Sequence, residues 1–233
     1  MPEITIIGGG LAGSEAAWQA AESGVSVNLY EMRPEKSTGA HQTGDLAELI
    51  CSNSLGSALH EKAAGLLKDE LRRLNSLILS CAEASALPAG YALAVDRDKF
   101  SALVTEKISH HPNIRVIRQE CPTLPTGPAV IASGPLTSPA LAEAIADLSG
   151  QDMLFFYDAI APVVNRDSIN MDVAFRASRY EFDEESDSGD YINCPLNEAQ
   201  YNRFIHELKN AERIQLKSLE GLPTLEKKAG HKL

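Results

Sequence analysis

The segment Glu3-Ile4-Thr5-Ile6-Ile7-Gly8-Gly9-Gly10-Leu11-Ala12-Gly13 opens on a short apolar, β-branched run, passes through a glycine cluster and enters a small-residue stretch that continues to Ser23. The first run suits a strand and the alanine-rich stretch a helix. Gly24 stands where a helix C-cap is expected, and Val25 to Tyr30 alternates as a second strand closed by Glu31. The order is strand, tight turn, helix, strand, a βαβ unit of about 30 residues.

Within this unit the glycines fall as Gly8-x-Gly10-x-x-Gly13. Gly8 permits the tight turn, Gly10 lets backbone approach a pyrophosphate, and Gly13 lets the helix pack close to the sheet. The helix amino terminus then offers unpaired N–H groups and a positive dipole end to phosphates. Glu31 follows Gly13 by 18 residues, close to the spacing of the acid that accepts the ribose hydroxyls of an adenosine. A carboxylate there disfavours a 2′-phosphate. The expected cofactor-binding residues are Gly8, Gly9, Gly10, Leu11, Ala12, Gly13 and Glu31. The fingerprint serves NAD and FAD alike, so it does not choose between them.

Beyond the unit, Met32 to Gly44 is polar and broken by Pro34, Gly39 and Gly44, and reads as a loop long enough to be functional. Leu59, Ala63, Leu66, Leu67, Leu71 and Leu74 recur at helical spacing, as do Phe100, Leu103, Val104 and Ile108, so two amphipathic helices with ordinary core faces are predicted. Leu77 to Ser85 and Tyr91 to Val95 read as strands joined through Pro88-Ala89-Gly90, and Ile114 to Gln119 as another. Ala129 to Ala132 reads as a short buried strand, followed by a helix from Pro139 to about Leu148 with proline where its missing N–H matters least. The composition changes after Gly150: Met153 to Tyr157 concentrates aromatics and Glu181 to Asp190 concentrates acids. A last helix is expected from about Glu198 to Arg213. The division predicted is a Rossmann-like α/β domain over residues 1–150 and the start of a second subdomain over 151–233.

The chain of 233 residues is 44% apolar and 23% charged, a balance suited to a folded domain. Its 32 acidic against 21 basic residues give a net charge of −11, which argues against broad nucleic-acid binding and confines any RNA contact to a local surface. No window holds the roughly 18 consecutive apolar residues of a membrane span, and Met1-Pro2-Glu3 lacks a signal peptide's positive flank, so no membrane association and a cytoplasmic location are expected. Cys51, Cys81, Cys121 and Cys194 form no C-x-x-C pair, and neither a disulfide framework nor a metal site is suggested. His110-His111 closes a helix, where imidazoles suit the dipole.

Cys51 stands apart from the other thiols. In Glu48-Leu49-Ile50-Cys51-Ser52-Asn53-Ser54-Leu55 it is followed by three short polar side chains able to cap a helix or donate hydrogen bonds, a setting that suits a reactive thiol as well as a buried small hydrophobe. Cys81, Cys121 and Cys194 read as structural, Cys81 within an alternating strand.

Taken together, the motifs resemble the TrmFO/Gid family of FAD- and folate-dependent tRNA (uracil-5-)-methyltransferases. The resemblance rests on Gly8 to Ala17, Tyr30-Glu31-Met32-Arg33-Pro34, Glu48 to Leu55, Ala94-Val95-Asp96-Arg97, Ala132 to Ser138, Phe156-Tyr157-Asp158-Ala159 and Asp190-Tyr191-Ile192-Asn193-Cys194-Pro195, in order to about Arg213. It implies a glutathione-reductase-like flavoprotein fold, FAD at the fingerprint, and transfer of a one-carbon unit from 5,10-methylenetetrahydrofolate to a uridine in the tRNA T-loop, with NAD(P)H as reductant. It also implies Cys51 as a catalytic thiol. Uracil carbon 5 becomes nucleophilic once a thiolate adds at carbon 6. Two departures stand out. Family members are about twice as long, so a second chain supplying the missing half, or a noncatalytic FAD-binding fragment, is the alternative expectation. Where the family carries a second reactive cysteine, this chain reads Glu220-Gly221-Leu222-Pro223, and its tail does not resemble the family.

Overall fold

Strand β1 (Glu3–Ile7) leads into helix α1 (Leu11–Glu22), and the chain returns as β2 (Ser26–Tyr30), paired in parallel with β1 from Glu3↔Ser26 to Ile7↔Tyr30. The βαβ unit expected from the opening segment is thus present, with Gly24 at φ 81° one place beyond the α1 C-cap Ser23. The computed structural model describes residues 2–150, 164–177 and 189–212. Met153 to Tyr157, most of the acidic run from Glu181, and Glu220 to Pro223 lie outside them.

The chain continues through β3 (Ser54–Ser57), α2 (Ala63–Arg73), α3 (Leu77–Ala84), β4 (Ala86–Leu87), β5 (Ala92–Val95), α4 (Arg97–His110), β6 (Ile114–Ile117), β7 (Ala129–Ile131) and α5 (Pro139–Ser149). After these come β8 (Phe175–Ala177), β9 (Tyr191–Asn193) and α6 (Glu198–Asn210). The main sheet runs β6-β2-β1-β7 with every pair parallel. A smaller antiparallel sheet has the order β3-β5-β4, and β8 pairs with β9. By contacts the chain divides into one unit up to Asn193 and another from Cys194, of which α6 is the described helix. The predicted boundary after Gly150 meets a stretch outside the described residues.

The core lies in the first unit. Ile6, Val27 and Leu29 of the sheet, Ala17 and Ala21 of α1, and Phe100, Val104 and Ile108 of α4 are all buried. These are the positions that period-2 strands and a period-3.6 helix direct inward.

Three local expectations are corrected. Leu77 to Ala84 forms a helix instead of a strand: the Ser76 hydroxyl caps it by accepting from Leu79 N–H at 3.1 Å, and the Glu15 carboxylate accepts from the Ser76 hydroxyl and Ile78 N–H, each at 2.9 Å. The apparent alternation of Leu77, Leu79 and Cys81 arises because the helix is covered on more than one side. On α2 the buried residues are Gly65 and Lys68, while Leu66 and Leu67 are more than half exposed. A Cβ on Gly65 would overlap the Leu59 carbonyl, so backbone contact fixes which face turns inward. Strand β7, expected to be buried, is exposed along its length, and among the described residues it lies at the edge of the main sheet, paired with β1.

Among the described residues no helix is long and apolar enough to cross a membrane.

Candidate functional site

All four parallel strands deliver residues to one cleft at their carboxyl ends: Ile7 and Gly8 from β1, Tyr30 and Glu31 from β2, Gln119 to Cys121 after β6, and Ala132 to Ser138 after β7. Its volume is about 270 Å³. In open α/β sheets this is where ligands bind, beside the strand at which the order reverses, here β1 between β2 and β7.

The glycines differ in what they do. Gly8, at φ 105°, adopts a backbone region that side chains rarely enter, and a Cβ there would stand 2.5 Å from the Ala132 carbonyl oxygen. A Cβ on Gly13 would overlap the Gly8 carbonyl, so close packing of helix on strand requires glycine there. A Cβ on Gly10 would meet no protein atom within 4 Å, and Gly10 lines the cleft. It leaves room beside the helix terminus without being needed for the packing. Gly9 lies behind the cleft, its N–H donating to Glu31 Oε2 at 2.9 Å.

Gly10 is also the N-cap of α1 and has no side chain to offer the N–H groups of the first turn. Those of Leu11 and Ala12, which line the cleft, can serve an anion. Ser138, the N-cap of α5, and Leu141 in its first turn line the same cleft. Two positive helix ends therefore bear on one space, an arrangement that suits a pyrophosphate.

Glu31 is 6% exposed and accepts from three donors: Gly9 N–H, Arg33 N–H at 3.0 Å and Arg33 Nε at 2.9 Å. Burial works to raise its pKa, but the Arg33 side-chain and backbone bonds, the Arg33 charge and the Gly9 N–H outweigh it and hold the carboxyl below the usual range. Arg33 Nη1 reaches Glu48 Oε2 at 2.9 Å, and Glu48 accepts from Gln42 N–H, Thr43 N–H and the Thr43 hydroxyl. Burial raises the Glu48 carboxyl too, and those donors together with the nearby His41 bring it below its ordinary value. His41, hydrogen-bonded to Thr38 at 2.6 Å, is shifted down by burial and by the Arg33 charge, which favours the neutral imidazole.

Of the residues expected at the site, Gly8, Gly10, Leu11, Ala12 and Glu31 line the cleft, while Gly9 and Gly13 shape its wall from behind. Cys51 is exposed and does not line the cleft, although its neighbour Ile50 does. The polar residues after Cys51 bind backbone: Asn53 Nδ2 donates to the Val95 carbonyl, Ser52 Oγ accepts from Ser54 N–H, and Arg97 Nη2 lies 3.5 Å from the Cys51 carbonyl oxygen. Cys81 is buried in α3, and burial raises its thiol pKa. Cys121, read as structural, lines the cleft. Arg33, Glu48 and His41 were not singled out by the sequence, because pairing across a 15-residue loop leaves no periodic signal. Among the described residues no group of His, Cys, Asp and Glu could hold a metal ion.

The chain is 56% identical over 220 residues to the methylenetetrahydrofolate–tRNA-(uracil-5-)-methyltransferase TrmFO of Rubrobacter xylanophilus, covering 94% of this chain and 48% of that protein. It is 56% identical over 218 residues to the protein of the same name from Natranaerobius thermophilus, covering 93% and 49%. The chain thus spans about half the length of these curated relatives. Among solved structures, p-nitrophenol 4-monooxygenase PnpA from Pseudomonas putida aligns with 50% of this chain and 31% of its own at 15% identity and a TM-score of 0.31. A family model described as glucose inhibited division protein A matches residues 3–227, past Arg213, where the motif resemblance was expected to end, so part of the tail fits the family after all. Over nearly its whole length, from the first strand through the glycine turn to beyond α6, the chain belongs to the glucose inhibited division protein A family.

Proposed function

We propose that this chain binds the adenosine diphosphate end of FAD in the cleft and works, with the part of the relatives it does not span, in folate-dependent formation of 5-methyluridine in the tRNA T-loop. The carrying observation is the cleft itself. It combines a glycine turn with open space at Gly10, two helix amino termini and a buried carboxylate, in a chain 56% identical to proteins named for that reaction. The Leu11 and Ala12 N–H groups would hold the pyrophosphate, and Glu31 would accept from the ribose. The flavin, when bound, supplies hydride chemistry for reducing a one-carbon unit from 5,10-methylenetetrahydrofolate, with NAD(P)H as the source of electrons.

Cys51 is the proposed catalytic thiol. Its exposure supports access by a bulky substrate, and addition of its thiolate to uracil carbon 6 would make carbon 5 nucleophilic. A local surface must receive the tRNA, since the net charge of −11 opposes broad phosphate binding. A cytoplasmic location goes with these substrates.

A partner-dependent reading is supported by the main sheet. Among the described residues, Val130 and Ile131 of β7 are 36% and 38% exposed at the edge of the main sheet, with β1 as the paired strand, which suits a further strand or chain.

The test is titration of the purified chain with FAD, NAD and NADP, followed by flavin fluorescence and calorimetry. FAD should bind most tightly. Tighter NAD binding would reject the flavin assignment. The same protein, given FAD, NADPH, methylenetetrahydrofolate and a T-loop transcript, should form no 5-methyluridine until the remaining half of a relative is added.

A further inference from the structure

Glu31 and the loop that leads to Cys51 are joined by one buried side chain. Arg33 is 3% exposed and lies between two carboxylates, with Nε on Glu31 Oε1 and Nη1 on Glu48 Oε2, both at 2.9 Å. Glu48 in turn holds Gln42 and Thr43, and it stands three residues before Cys51. A second tie runs parallel to the first: Ala47 N–H donates to the Gly9 carbonyl at 2.8 Å, with Ala47 fully buried and held at φ 54°. A left-handed alanine persists where its surroundings over-determine it. The glycine turn and residues 42–48 therefore form one packed piece, which leads directly into the exposed Cys51.

The acceptor count at Glu31 gives this piece a consequence. An ionised carboxylate has about four lone-pair sites. Gly9 N–H, Arg33 N–H and Arg33 Nε occupy three of them. A ribose brings two hydroxyl donors, so full engagement of both exceeds what Glu31 has left. The bond most easily released is the one from Arg33 Nε, because the guanidinium already has Glu48 and the Thr43 carbonyl as further acceptors.

Resting on the dinucleotide reading above, we propose that Arg33 is a positioning residue: it withdraws Nε from Glu31 in favour of the ribose while pivoting on its Nη1 bond to Glu48, and so transmits occupancy of the adenosine end to the segment bearing Cys51. Empty and filled sites then hold residues 42–48 differently, and the Cys51 thiol is presented according to whether nucleotide is bound.

The experiment uses ADP as the probe of the adenosine end. Binding is followed by calorimetry, and iodoacetamide labelling rates of Cys51 and the exposed Cys194 are read by peptide mapping. Saturating ADP should change the Cys51 rate on the order of fivefold, a typical coupling between sites, and leave Cys194 unchanged. Arg33→Lys keeps the charge but cannot bridge two carboxylates as a planar fork does, so it should bind ADP and lose that response. Glu48→Gln keeps an oxygen for Arg33 but turns an amide NH2, which cannot accept, toward the Gln42 N–H, so it should likewise bind ADP and lose the response, and it carries the test if Arg33→Lys does not fold. ADP binding with an unchanged Cys51 rate in the native chain, or a full response in the folded variants, would overturn the proposal while leaving the dinucleotide site intact. Failure of the native chain to bind ADP or FAD would instead remove the dinucleotide reading and this proposal with it.

Discussion

Gly13 sits against the backbone of Gly8 so closely that a Cβ on Gly13 would overlap the Gly8 carbonyl oxygen. Neither partner can give way, since one is a strand end and the other the first turn of a buried helix. Gly13→Ala should lower unfolding free energy on the order of 3 kcal/mol, the scale of strain in a packed core, measured by urea denaturation. An alanine variant as stable as the parent would show that the helix can shift away from the sheet at little cost.

Gly10 is the contrasting case. A side chain there meets no protein, so Gly10→Val should cost less than about 1 kcal/mol of stability while abolishing FAD binding through the pyrophosphate space. Flavin fluorescence of the folded variant reads the loss. Retained binding would mean that the phosphates lie elsewhere.

Glu31 and Glu48 both have pKa values lowered by folding, from an ordinary value of 4.5. Their stabilising contribution is complete above that value and fades as the pH falls through the lowered folded values. Unfolding free energy should therefore decline from about pH 4.5 downward, and more shallowly in Glu48→Gln than in the parent. Parallel curves would remove Glu48 from the linkage.

Lys68 is 6% exposed and donates to the carbonyls of Leu55, Ser57 and Ala64 at 2.7, 3.1 and 3.2 Å, tying β3 to α2. Lys68→Met leaves those carbonyls without their donor and should cost about 2 kcal/mol, the penalty for an unsatisfied buried group. Thermal denaturation measures it, and a loss below about 0.5 kcal/mol would show that water replaces the ammonium.

Limiting iodoacetamide at neutral pH should label the exposed Cys51 and Cys194 before Cys121, and reach Cys81 only when denaturant opens the core. Early labelling of Cys81 would contradict the burial of α3.

The sequence by itself determined the βαβ unit, because the β-branched run, the three spaced glycines and the alanine-rich stretch act locally, each through its own backbone preference. It also determined Glu31 as the acid closing the second strand, since strand length sets that spacing. The tertiary structure decided what depends on neighbours distant in the chain. Leu77 to Ala84 looked like a strand because alternating residues were apolar, yet Ser76 and the remote Glu15 cap it as a helix. The leucines of α2 had the right period for a core face, but contact of Gly65 with Leu59 and the bonds of Lys68 turned Leu66 and Leu67 outward. Arg33 and Glu48 were visible only as letters in a motif. Their meeting, 15 residues apart and beside Glu31, follows from how the loop folds back on the glycine turn, and no periodicity records that kind of contact.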